Sequence, residues 1–156
     1  MNGSEICAEL ERVEGEGRTF HEVQEAAVRL LHESDPMFHW TGIYELFPDN
    51  TLRLGPFVGA PTDHVFIAVG RGVCGTAVAE RRNMNVPDVR EASNYLACSA
   101  ETRSELVVLI RSGEVIHAQV DIDSHEPAAF GPEQVRRVEA VAAWLAGRYE
   151  RQATGA

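Results

Sequence analysis

Two apolar runs, ELVVLIR (residues 105–111) and EVIHAQVDID (residues 114–123), stand on either side of Ser112-Gly113. Strand-length runs rich in Val and Ile, split by a Ser-Gly pair, read as two antiparallel strands joined by a tight hairpin. Working outward, residues 40–47 and 51–58 flank the turn-forming Pro48-Asp49-Asn50 and read as a second hairpin. Residues 65–69 give a further strand. Residues 85–89 give a short one whose Pro87 belongs at a sheet edge or strand end. Before these strands, Phe20, Val23, Ala26, Ala27, Leu30 and Leu31 recur at helical spacing within residues 19–31. Residues 5–13 read as a shorter helix, with Ser4 as its N-cap and Gly15 and Gly17 ending it. Small residues between Val73 and Arg82 suggest a closely packed helix. Phe130-Gly131-Pro132-Glu133 opens a last helix with Val135, Val138, Val141, Ala142 and Leu145 along one stripe. The expected fold is α+β: a central six-stranded antiparallel sheet with the N- and C-terminal helices packed on one face. The other face is left for a long loop at residues 90–103.

The 156 residues fit one domain spanning 1–156, with 1–17 and 150–156 as peripheral segments. A net charge of −10 argues against nucleic acid, whose phosphates need clustered cations. All fourteen basic residues are Arg, a composition that carries no mechanism by itself. No apolar run approaches a membrane span, and no basic region precedes an apolar stretch at the N-terminus. The expectation is a cytoplasmic protein that meets neither membrane nor nucleic acid. Three cysteines in such a chain are buried small hydrophobes or reactive thiols rather than a disulfide framework.

Cys74 follows Gly70-Arg71-Gly72 and opens a helix, where backbone N–H groups favour a thiolate. A core thiol fits it equally well. Cys98 lies in the long loop without an obvious packing role, as functional residues often do. Asp121 and Asp123 share one side of their strand by its period of two, and Glu105 begins the partner strand near Asp123. The bland alternative is a solvated strand end. Clustered carboxylates repel, so one is expected to keep a proton near neutral pH. A protonated carboxyl beside a thiolate is what reduction of a sulfoxide needs, since the sulfur is attacked while the departing oxygen is protonated. Trp40 and Tyr44 face one side of their strand, as core or as the wall of a pocket for a methyl-sulfur group. His64, Cys74 and Cys98 lack paired metal-ligand spacing, which argues against zinc, and Cys7 falls in a frayed N-terminal segment with no role.

Taken together, His39-Trp40-Thr41-Gly42-Ile43-Tyr44, Leu54-Gly55-Pro56-Phe57, Gly70-Arg71-Gly72-Val73-Cys74-Gly75-Thr76-Ala77, Ala97-Cys98, Ser104-Glu105 and Asp121-Ile122-Asp123-Ser124 resemble the free methionine-(R)-sulfoxide reductase family of stand-alone GAF domains. The similarity runs from about Thr19 to Leu145. It implies a GAF fold, a homodimer and a pocket for free methionine sulfoxide under the loop bearing Cys98; neither a cofactor nor a metal is expected. It also implies catalytic roles for Cys98, Cys74, Glu105, Asp121 and Asp123, with Trp40 and Tyr44 joining those acids around the substrate. The implied reaction runs through a cysteine sulfenic acid and an intramolecular disulfide that a thioredoxin-type reductant reopens. Two positions depart from the family pattern. His64 stands where many members carry a first cysteine, and residues 105–110 lack the usual proline. A catalytically inactive GAF sensor of a small ligand is the rival reading.

Overall fold

The computed structural model describes residues 1–92 and 100–154. Its centre is the hairpin of β5 (Ser104–Ser112) and β6 (Val115–Ser124). The turn is Gly113-Glu114 rather than Ser112-Gly113: Ser112 pairs with Val115, and Gly113 takes the left-handed φ of 57° that the reversal needs. On the far side of β6 lies β1 (Trp40–Leu46), followed by β2 (Thr51–Val58) and the edge strand β3 (Phe66–Ala68). The opposite edge, beside β5, is β4 (Met84–Val86), which stops one residue before Pro87. The order β3-β2-β1-β6-β5-β4 makes one six-stranded sheet, every neighbouring pair antiparallel.

One sheet face is covered by α1 (Gly3–Gly15), α2 (Phe20–Glu33) and α4 (Pro132–Thr154). Leu106, Val108 and Ile110 of β5 and Ala118, Val120 and Ile122 of β6 point into this layer. Thr19 and Glu22 start α2 with a reciprocal capping box, and Pro132 occupies the first position of α4, where its missing N–H costs nothing. Residues 1–17 are not peripheral, and Cys7 is not in a frayed segment. Asn2, rather than Ser4, caps α1 through a capping box with Glu5, and Ile6 and Leu10 are fully buried against the core. Burial of two such side chains contributes about 3–6 kcal/mol, enough to hold the helix down. Among the described residues, no helix is long and apolar enough to cross a membrane.

The other sheet face carries α3 (Gly72–Glu80) over Trp40, Tyr44, Val107 and Leu109. Gly75 lets α3 lie close: a Cβ there would meet the Ala68 carbonyl oxygen at 2.5 Å. Residues 89–91 form a 3-10 turn that leads toward the loop.

Candidate active site

The period of two on β5 and β6 sends Glu105, Asp121 and Asp123 to the α3 face. Glu105 sits opposite Asp123 across the strand pair, and Asp121 opposite Val107. All three carboxyls are buried, at 2%, 0% and 1% exposure, so the solvated-strand-end alternative fails. The first turn of α3 lays Cys74, 5% exposed, onto this cluster, where its Sγ donates to Glu105 Oε2 at 3.8 Å. Gln119, one strand period before Asp121, donates from Nε2 to the Cys74 carbonyl at 3.0 Å and fixes the helix start. The sequence reading did not single out Gln119, although the alternation that picks Asp121 and Asp123 extends back to it.

Electrostatics in the cluster follow from burial. Desolvation, then the charges of Asp121 and Asp123, push the Glu105 carboxyl well above the usual carboxylate range. Desolvation also raises Asp121, opposed by hydrogen bonds from Glu105 and the Cys74 thiol. Among the described residues, no backbone amide, side-chain amide or guanidinium donates to either Asp121 oxygen. Of the two carboxyls Glu105 is therefore the one pushed furthest toward its protonated form, by burial and by the neighbouring acids. The site can deliver a proton beside a thiol while excluding bulk water.

Trp40 and Tyr44 stand on the same face, their rings 6.3 Å apart, within the apolar cluster that also holds Cys74. Their polar ends are engaged: Tyr44 Oη donates to the His64 carbonyl at 2.8 Å and Trp40 Nε1 to the Ala60 carbonyl at 3.0 Å. Both bonds pin the β2–β3 connection that carries His64, which lines one cavity with Arg71, Cys74 and Glu105. At the strand ends His39 stacks on His125 with centroids 4.0 Å apart, and His125 Nδ1 lies 3.5 Å from Glu101 Oε2. Burial, then the His125 ring, holds His39 below the ordinary histidine range. Neither histidine is given a role by the sequence, because their pairing joins the start of β1 to the segment after β6. Cys98 lies outside the described residues. A larger hollow of about 710 Å³ opens between α1, α2 and β2, where Arg12, Glu16, Arg18 and Glu22 line it without a thiol.

A six-stranded antiparallel sheet flanked by N- and C-terminal helices, with a thiol set among buried acids on its opposite face, defines a GAF domain with a chemically equipped pocket. Residues 16–148 match the GAF domain family. Free methionine-R-sulfoxide reductase of Escherichia coli is 36% identical over 150 residues, covering 93% of this chain and 89% of that one. Among solved structures, the type II free methionine-R-sulfoxide reductase of Thermoplasma acidophilum is 35% identical, with a TM-score of 0.78 over 86% of this chain and 96% of the other. The free methionine-R-sulfoxide reductase of Neisseria meningitidis, solved in complex with its substrate, is 28% identical, with a TM-score of 0.87 over 98% and 91%. The chain belongs to the free methionine-R-sulfoxide reductase family.

Proposed function

We propose that the chain reduces free methionine-(R)-sulfoxide to methionine with its own thiols. The observation that carries this reading is the Cys74 thiol 3.8 Å from the proton-holding Glu105, inside a buried three-carboxylate cluster. In the reaction the Cys98 thiolate attacks the sulfoxide sulfur. A protonated carboxyl, Glu105 or one of the two aspartates, gives its proton to the oxygen. The S–O bond breaks. The released hydroxide attacks the Cys98 sulfur and breaks its newly formed bond to the substrate sulfur, which frees methionine and leaves Cys98 as a sulfenic acid. The Cys74 thiol then attacks the Cys98 sulfur, water departs, and a disulfide remains for a thioredoxin-type dithiol to reduce. Overall, sulfoxide and two thiols give sulfide, disulfide and water. The remaining carboxylates hold the substrate ammonium, and Trp40 and Tyr44 enclose its methyl-sulfur end. A homodimer in the cytoplasm is the setting this reading assigns.

The contact between Cys74 and Glu105 favours a second assignment, in which Cys74 attacks and Cys98 resolves. The two are separated by a single turnover. In the first, Cys74→Ser releases one methionine per chain and leaves a sulfenic acid on Cys98, while Cys98→Ser releases none. In the second, the variants exchange outcomes. For the function itself, NADPH consumption is followed with thioredoxin, its reductase and free methionine-(R)-sulfoxide. No turnover by the unaltered chain, where a known reductase turns over, would sink the reading. Ligand binding without turnover would then identify a sensor.

A further inference from the structure

Asp121 is the group whose burial the fold leaves unanswered. It is 0% exposed, and among the described residues its only hydrogen-bond donors are the protons of Glu105 and Cys74. A carboxylate buried without external donors costs several kcal/mol unless a positive partner arrives. The sulfur of Cys74 and one oxygen each of Glu105 and Asp121 all lie within 4.8 Å of one another. Zinc–sulfur and zinc–oxygen bonds place sulfur and oxygen ligands of one tetrahedron roughly 3.5 Å apart. The observed 3.8 Å from Cys74 Sγ to Glu105 Oε2 is already close to that separation.

We propose that the reduced pocket is a binding site for a borderline-soft divalent cation of the zinc class, held by Cys74 Sγ and the carboxylates of Glu105 and Asp121. One thiolate with two carboxylates suits zinc or cadmium, whereas calcium and magnesium take all-oxygen sets. The ligand set differs from His64, Cys74 and Cys98, whose spacing argues against zinc. Binding is an exchange without oxidation: the cation enters, and the thiol proton and the proton shared by the carboxyls leave to solvent. If the reductase reading holds, the cation occupies its proton donor and one of its thiols, and so inhibits reversibly.

Cadmium is the probe, titrated into the reduced full chain with no substrate present. The expected result is a thiolate-to-cadmium ultraviolet band saturating at one ion per chain, with proton release. Cys7→Ser and Cys98→Ser keep the band and Cys74→Ser loses it. Asp121→Asn and Glu105→Gln, which preserve side-chain volume, weaken the affinity by at least about tenfold. A band that survives Cys74→Ser, a band that requires Cys98, or an affinity unchanged in Asp121→Asn overturns the proposal. Far-ultraviolet circular dichroism verifies that each variant is folded. Because the readout involves no sulfoxide, its failure is separate from failure of the coupled assay.

Discussion

Glu105 shows what a single position carries. Its ordinary pKa is 4.5, and the folded chain raises it well above that value, chiefly by burial and then by Asp121 and Asp123. Between the two values the native chain holds a proton that the unfolded chain has shed. Stability is therefore intact below the ordinary pKa and falls as pH rises through the folded one. Glu105→Gln, permanently neutral, should flatten that decline and gain about 1–3 kcal/mol at its upper end, as neutral replacements of buried charges do. Thermal melts across the window measure it, and parallel curves for the two proteins would sink the idea. The same variant should lose turnover in the coupled assay, so stability and activity move in opposite directions. Much of the cluster is legible in the sequence, because alternation places Asp121 and Asp123 on one face and the hairpin brings Glu105 to them. Their depth is not, since a strand ending in Asp-Ile-Asp-Ser reads as well for a solvated end. It is α3, packed from far away in the chain, that buries them.

At the scale of elements, α3 holds the site together through one close approach. A methyl group on Gly75 would meet the Ala68 carbonyl oxygen at 2.5 Å and the Gly70 nitrogen at 3.0 Å, both backbone atoms unable to step aside alone. Gly75→Ala should cost about 1–3 kcal/mol by overpacking and displace Cys74 from the acids. Calorimetry should show a Tm lowered by several degrees, and the coupled assay a reduced kcat/KM. Gly147 is the contrast, a helical position in α4 with nothing within 4 Å of its added methyl. Gly147→Ala should stabilise by about 0.5–1 kcal/mol. Equal effects from the two substitutions would refute the packing argument. The small residues after Val73 do announce a closely packed helix in the sequence. Its end is harder to read, because Arg81 terminates it in a left-handed conformation with φ of 57°, a task sequence patterns assign to Gly or Asn. The shortness of β4 is legible from Pro87, whereas the Gly113-Glu114 turn depends on the Ser112–Val115 register.

For the whole molecule, the terminal segments are where sequence and fold part most clearly. Residues 1–17 are rich in Glu, and Ile6, Leu10 and Val13 mark a short apolar stripe in which Ile6 and Leu10 are the two fully buried positions. So short a stripe is a weak signal locally, yet α1 lies against α4, with Cys7 Sγ donating to the Ala140 carbonyl at 3.6 Å and Arg148 pairing with Glu14 at 3.2 Å. A chain beginning after residue 17 exposes the α4 surface that Ile6 and Leu10 cover. It should lose about 3–6 kcal/mol, a large share of the roughly 5–15 kcal/mol typical of a domain. Urea unfolding checks this, and an unchanged midpoint would mean that α1 is dispensable. The six-strand count and the sheet's antiparallel character, by contrast, follow from local signals in each strand and its turn.

The stacked aromatics have an optical consequence. The chain contains two tryptophans. Trp40 stacks with Phe57, 5.6 Å away, and with Tyr44, while Trp144 lies on α4 beneath the Arg148 guanidinium at 3.7 Å. Replacing Trp144 by Phe leaves Trp40 as the single tryptophan, in the apolar cluster that also holds Cys74. Occupation of the pocket, or a change in the bond from its indole N–H to the Ala60 carbonyl, then alters fluorescence directly. The protein thus carries an intrinsic reporter that can time each event in stopped flow without an added dye.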